Sequence, residues 1–514
     1  MAAHVVAIQL TGHDLTGDDV EAVALHGAGA ALASEAVAQI EASRALIERV
    51  VREERPTYGV NTGFGKLVDV HIDAGQAAEL QLNLLRSHAC GVGAPFPDEV
   101  VRAAILLRAN ALAKGTSGVR RELVQLLVDL LGAGVLPVVP SRGSLGASGD
   151  LAPLAHLALV LVGEGEARVG GETLPGADAL ARAGLEPIEL AAKEGLSLIN
   201  GTQFMAAIGA LVLCRARRLV KLADLAAAQT IEAVRGSRTP FSPELQALRP
   251  HPGQAASAAN LYGLLDDSQI VASHRWCGRV QDAYSLRCSP QVHGAVRDAV
   301  DYAERAVAVE LNAATDNPLV LAEREEVVSN GNFHGEPVAI PLDTLKIGLA
   351  ELGSISERRV ERMLNPTMSN GLPPFLAHES GLNSGFMITQ YVAASLVAEN
   401  RVLAHPASVD SIPTSAGQED HVSMGATAAV HLWHVCANVE RVLAIELLCG
   451  AQGLDFLAPL RPGPAISVLH GAVRARSPRL DHDRSLASEI DAVADALRDG
   501  TLLAEVEAAS AALR

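Results

Sequence analysis

Apolar side chains recur at three- and four-residue spacing over long stretches of this chain, a period that commits much of it to long amphipathic helices. One stripe begins at Leu345, Leu349, Leu352 and Ile355 and continues through Val360 and Met363, with Asn365-Pro366 as a helix stop. Another runs through Leu432, Val435, Val439, Val442 and Ile445, with Gly450 expected as its C-cap. Similar stripes cover Ala295 to Leu311 and Met205 to Thr230. Apolar residues make up 49% of the chain but aromatic ones only 3%, so the apolar mass is largely Ala, Leu and Val. Ala and Leu are strong helix formers. Residues 201–514 are therefore expected to form a long helical bundle.

Residues 1–200 read differently, because Gly and Pro clusters interrupt them at Tyr58 to Gly65, Gly91 to Pro97 and Ser141 to Gly149. The Gly-rich, acidic stretch Gly163 to Pro187 is expected to hold a short hairpin or surface loops. The fold class expected is mainly α: a mixed N-terminal head followed by a helical body.

Against 41 Lys and Arg stand 59 Asp and Glu, a formal net charge of −18, which argues against a chain-wide basic footprint for nucleic acid or an anionic membrane. Six scattered cysteines lack disulfide-framework or zinc-site spacing, and most are expected to be small buried hydrophobes. His431 and His434 stand at helical i, i+3 spacing without a third ligand, so no metal is expected. Met1 to Leu10 lacks the pattern of a secretory leader, and a reducing, cytoplasmic setting is expected. Gly195 to Cys214 carries no charge, but Ser197, Asn200, Thr202 and Gln203 interrupt it, and a membrane span is not expected.

The most informative stretch is Gly143-Ser144-Leu145-Gly146-Ala147-Ser148-Gly149-Asp150-Leu151-Ala152-Pro153-Leu154-Ala155. By itself it is a tight turn of small residues, with Asp150 a candidate N-cap for a helix starting near Pro153. Ser148 does not sit in the Gly-x-Ser-x-Gly pattern of a hydrolase elbow.

These thirteen residues resemble the signature of the aromatic amino-acid ammonia-lyase family. Five further blocks are similar to that family in the same order: Tyr58 to Gly65, Lys193 to Gln203, Gln281 to Cys288, Asn332-Phe333-His334 and Gln418-Glu419-Asp420-His421. The resemblance implies a fumarase/aspartase-like helical architecture. It also implies that Ala147, Ser148 and Gly149 cyclise to 4-methylidene-imidazole-5-one (MIO), an electrophilic group cut from the backbone, with no diffusible cofactor. Ring closure needs the Gly149 amide nitrogen to reach the Ala147 carbonyl carbon, an approach that a residue without Cβ permits. Ser148 then loses its hydroxyl as water.

The resemblance further implies a role for each site residue. Tyr58 would remove a β-proton, which needs positive charge or hydrogen bonding to favour its phenolate. Asn200 would hydrogen-bond the carbonyl oxygen of the prosthetic group, much as an oxyanion hole does. Arg287 would grip an α-carboxylate through its planar guanidinium, with Tyr284 and Gln281 beside it. Ser87-His88-Ala89 and Gln418-Glu419 look like the versions found in histidine-specific members. His88 and Glu419 would then face the imidazole of L-histidine and Phe333 would pack on the ring, with trans-urocanate and ammonia as products. Amine and imidazole are both candidates for the attacking group.

Tyrosine- or phenylalanine-specific lyases and 2,3-aminomutases share the prosthetic group and are the near alternatives, and an inactive helical scaffold or amino-acid sensor is the distant one. A homotetramer with shared active sites is implied. Two positions depart from the family pattern: Gly417 where Asn is usual, and Asn330 where Gly is usual.

Overall fold

The computed structural model describes residues 7–510 and 512–514, so most of the Met1 to Leu10 stretch, read above for a secretory pattern, lies outside the described residues. Helices dominate, and the strands are short, two to four residues each, in four small sheets among the described residues. The chain forms two compact units, the first comprising Met1–Cys214, Ala303–Asp343 and Pro406–Val430, the second Arg215–Tyr302, Thr344–His405 and His431–Arg514. The first unit is thus not the contiguous stretch 1–200. Two later segments belong to it, and four of the five unit boundaries fall inside the long helices Gln203–Ala233, Ser289–Glu310, Glu336–Leu364 and Gly425–Asp455.

In the first unit, helix Gly17–His26 starts at a capping box, in which the Thr16 hydroxyl accepts from Asp19 N and the Asp19 carboxylate accepts from Thr16 N. Helix Asp98–Ala113 is buried on almost every side from Val100 onward, as a central core helix must be. It carries Arg108 into the interior, where none of its surface is exposed. The hairpin expected between Gly163 and Pro187 is present as Glu166–Val169 paired antiparallel with Glu172–Pro175.

The charge-free stretch Gly195 to Cys214 is not one helix. Helix Glu194–Ile199 stops, Asn200 to Thr202 leave the helical path, and helix Gln203–Ala233 begins. Among the described residues no helix is long and apolar enough to cross a membrane.

The second unit is packed largely from helices, and buried ion pairs cross-link them. Arg359 grips Glu446 through two bonds, Nε to Oε1 at 2.5 Å and Nη2 to Oε2 at 2.9 Å, while Ser356 and Thr230 donate to the same carboxylate. Gly450 lies inside helix Gly425–Asp455 rather than capping it. A Cβ there would come within 2.7 Å of Gln229 Oε1, so this glycine serves close helix packing.

The cysteines divide evenly: Cys214, Cys436 and Cys449 are buried, whereas Cys90 and Cys277 are exposed and Cys288 is intermediate, the exposed ones lying outside helices. Among the described residues no group of three or more His, Cys, Asp or Glu side chains is placed to hold a metal ion.

Candidate active site

The Gly143-to-Asp150 loop of the first unit is held by segments distant in sequence. Met424 N donates to Leu145 O at 2.9 Å, Ser423 Oγ to Gly146 O at 3.2 Å, and Asp150 N to Gly201 O at 2.6 Å. Gly146 and Gly149 adopt φ of +70° and +76°, and a Cβ on Gly149 would stand 2.1 Å from the Gly201 carbonyl oxygen. Only glycine fits there. Ala147 packs with Val422 and Met424.

Asp150 does not cap the helix Leu151–Leu161 with its side chain. Its carboxylate instead accepts from Met205 N at 2.9 Å and from Ser144 Oγ at 3.1 Å, tying the loop to the start of helix Gln203–Ala233. Burial pushes this carboxyl up to about 6, against the lowering effect of those hydrogen bonds.

Ser148 stands between two side chains. Its hydroxyl donates to Glu419 Oε1 at 2.8 Å, and its carbonyl oxygen accepts from Asn200 Nδ2 at 2.9 Å. Asn200 Oδ1 is buried without a hydrogen-bond partner. The cradle fits the MIO group: a glycine that nothing larger could replace, an amide aimed at the middle carbonyl of the tripeptide, and an acceptor on the serine hydroxyl.

Tyr58 is half-buried, and its hydroxyl oxygen accepts from Gly65 N at 3.2 Å. Burial raises its pKa above 10.0. The Gly65 bond partly offsets this, and the negative charges of Glu419 and Asp316 add to the rise. Of the positive charge or hydrogen bonding that a phenolate calls for, the Gly65 N–H supplies a hydrogen bond, and burial outweighs it.

His88, at the end of helix Ala77–His88, places Nδ1 2.9 Å from Leu84 O and 3.0 Å from Ser87 Oγ. Donation from Nδ1 to Leu84 O leaves Nε2 of the neutral ring as an acceptor. Burial lowers its pKa, and Leu84 O and the Glu419 charge oppose that shift. Phe333 is half-buried beside His334, whose Nε2 lies 3.1 Å from His421 O.

Gln281, Tyr284 and Arg287 belong to the second unit. Arg287 Nε donates to Asp282 O at 2.9 Å, its guanidinium lies 4.8 Å from the centre of the Tyr284 ring, and Tyr284 is 72% exposed. Gln281 and Arg287 line a cavity of about 670 Å³ with Ser237, Gln246 and Gln254.

Both departures from the family pattern have local explanations. Gly417 adopts φ +85° with open space around it, a conformation that glycine and asparagine both tolerate. Asn330 organises its own loop, with its amide nitrogen 3.1 Å from Asp316 O and its side-chain oxygen accepting from Asn332 N.

Three groups at the site were given no role by the sequence. Arg108 Nη1 donates to Asn200 O at 2.9 Å and to Gln203 Oε1 at 2.8 Å, while its Nε and Nη2 are buried without partners and burial lowers its pKa to about 10. Lys193 is fully buried against Asp316, Nζ to Oδ2 at 2.6 Å, with Ser197 bonded to both. Thr414 Oγ1 donates to Glu419 Oε2 at 2.6 Å. A charged residue in the otherwise apolar run around Arg108 was the only signal available for the first.

Comparison with known proteins identifies the family of the chain. The family model described as aromatic amino acid lyase matches residues 15–475. The histidine ammonia-lyase of Gloeobacter violaceus is 58% identical over 500 residues, covering 97% of each chain, and that of Symbiobacterium thermophilum is 55% identical over 99% of each. Among solved structures, histidine ammonia-lyase from Trypanosoma cruzi superposes with TM-score 0.91 at 46% identity, covering 98% of this chain and 95% of that one. Tyrosine aminomutase from Streptomyces globisporus superposes with TM-score 0.94 at 40% identity, covering 99% and 100%. The mainly α architecture is thus that of these enzymes, and the chain is a carbon–nitrogen lyase that belongs to the aromatic amino acid lyase family.

Proposed function

We propose that the chain eliminates ammonia from L-histidine to give trans-urocanate, using an MIO group formed from Ala147, Ser148 and Gly149. The observation that carries the choice of substrate is a carboxylate, Glu419, bonded directly to the Ser148 hydroxyl and felt electrostatically by His88. A pocket for an unsubstituted aromatic ring would leave that carboxylate buried against apolar surface, at a cost of several kcal/mol. An imidazole supplies ring nitrogens to meet it. Relatives named histidine ammonia-lyase, 50–58% identical over nearly the whole chain, support the same reading.

The group, once formed, supplies an electrophilic methylidene carbon for the substrate amine and a sink for electrons as nitrogen leaves. The other steps belong to side chains of this protein. Asn200 Nδ2 is already on the Ser148 carbonyl, where negative charge would build. Tyr58 takes the β-proton on its phenolic oxygen. Glu419 and His88 hold the imidazole, and Phe333 packs on the ring. Arg287 binds the α-carboxylate, with Tyr284 and Gln281 contributing to the amino-acid end of the site.

A homotetramer with shared active sites is the proposed assembly. Helix Met387–Leu403 exposes Ile388, Tyr391 and Val402 at 60%, 65% and 76%, an apolar set that association would cover. A cytoplasmic enzyme without nucleic-acid or membrane partners completes the proposal.

The test combines intact mass with product identification. The purified chain should weigh two waters less than its sequence, and Ser148→Ala should restore the full mass and abolish turnover. Cinnamate, coumarate or a β-amino acid as the preferred product would overturn the choice of substrate. An undiminished mass in the parent chain would overturn the prosthetic group.

A further inference from the structure

The reading of L-histidine as substrate leaves open how one carboxylate is made to offer a single oxygen to the imidazole. Glu419 has two, and the structure treats them differently. Oε1 accepts from the Ser148 hydroxyl, whereas Oε2 accepts from Thr414 Oγ1 at 2.6 Å. Conversion of Ser148 to the prosthetic group removes the first donor as water. The second stays.

Thr414 is locked to Glu419 through the backbone as well. Thr414 N donates to Glu419 O at 2.9 Å, and Glu419 N donates to Thr414 O at 3.3 Å. Between them the chain turns through Ser415, Ala416 and Gly417 with φ of +49°, +52° and +85°. Two non-glycine residues in succession in the left-handed region carry a conformational cost, and such strain persists only where the surroundings impose it. The turn also abuts the Tyr58 loop, since a Cβ on Gly65 would come within 2.8 Å of Ser415 Oγ. A strained, doubly pinned turn therefore fixes where the Glu419 side chain leaves the backbone, and the Thr414 hydroxyl fixes its final rotation.

We propose that Thr414 is a positioning residue for substrate specificity: its hydroxyl occupies Glu419 Oε2 and so presents Oε1 to a ring nitrogen of the imidazole. This rests on the L-histidine reading. Thr414 does not touch the substrate, and it acts only through the carboxylate.

The test uses Thr414→Val, which keeps shape and β-branching while removing the donor, with Thr414→Ser as the conservative control. Inhibition by urocanate and by trans-cinnamate is compared, because the two share a propenoate and differ in ring nitrogens. Thr414→Val should weaken urocanate inhibition and raise KM for L-histidine by about tenfold, the scale of a lost hydrogen bond to a charged group. Inhibition by cinnamate and the two-water mass deficit should be unchanged, and Thr414→Ser should restore the parent values.

Equal weakening of both inhibitors, or no change in either, overturns the inference. If Thr414→Val does not accumulate, Thr414→Ala replaces it against the same serine control, and failure of both to fold assigns the hydroxyl to stability and overturns the inference too. A parent enzyme without preference for urocanate over cinnamate overturns the histidine reading, and this inference falls with it.

Discussion

Gly149 and Gly201 meet backbone to backbone, so closely that a Cβ on Gly149 would stand 2.1 Å from the Gly201 carbonyl oxygen and 2.7 Å from its nitrogen. Gly149→Ala meets this overlap and a φ of +76° at once. The variant is expected to lose a few kcal/mol of stability. With the loop displaced it should also keep its full sequence mass. Mass spectrometry beside thermal unfolding checks both, and a stable variant lacking two waters would contradict the role given to this contact.

Tyr58 carries the second prediction. Burial and two nearby carboxylates hold its pKa above 10.0. The phenolate fraction, and with it kcat/KM, should rise as pH increases from neutral into the alkaline range. Tyr58→Phe should lower kcat by about 10²- to 10⁴-fold, the usual range for a lost general base, and remove that rising limb. Its two-water mass deficit should persist, which separates proton transfer from maturation.

Lys193 and Asp316 form a buried pair at 2.6 Å with neither side chain more than 2% exposed. Burial lowers the pKa of Lys193, and Asp316 opposes that shift. Removing one partner strands the other charge, so Lys193→Met and Asp316→Asn should each cost about 3 kcal/mol or more. The double variant should lose less than the sum of the two, a coupling that denaturant unfolding of all four proteins would measure.

Glu232 gives the chain a pH-dependent stability. Its carboxyl is pushed from 4.5 up to about 7 by burial, although Ser268 and Gly463 N hydrogen-bond to it. A carboxyl whose folded value lies above its unfolded one favours the protonated folded chain. Its contribution is complete below about pH 4.5 and is lost as pH rises towards 7. Glu232→Gln, which keeps an acceptor for Gly463 N, should flatten that decline. At pH 8 it should be more stable than the parent by up to about 3 kcal/mol, at 1.4 kcal/mol per pKa unit. Thermal melts from pH 4 to 8 check the slope.

Much of this architecture was legible in the residues because the relevant physics is local. The stripes from Leu345 to Met363 and from Leu432 to Ile445 lie in helices Glu336–Leu364 and Gly425–Asp455, since a 3.6-residue period is a property of neighbours along the chain. Gly450 went wrong because helix-cap rules cannot see Gln229 approaching from another helix. The same limit applies to Asp150, whose position suited an N-cap while its actual partner, Met205 N, is 55 residues away. Arg108 left even less trace. A cation in a mostly apolar helix gives no hint that its guanidinium will end on the carbonyl of Asn200.

The interruption at Asn200 to Thr202 has a consequence beyond ruling out a membrane span. Inside an unbroken helix the amide and carbonyl of Gly201 would be spent on the i→i−4 ladder. Breaking it releases them, and the freed carbonyl takes Asp150 N at 2.6 Å while Gly201 bridges Gly149 as a strand would. This charge-free run thus contributes peptide groups as well as burial: three residues of forfeited helix become a docking rail for the reactive tripeptide.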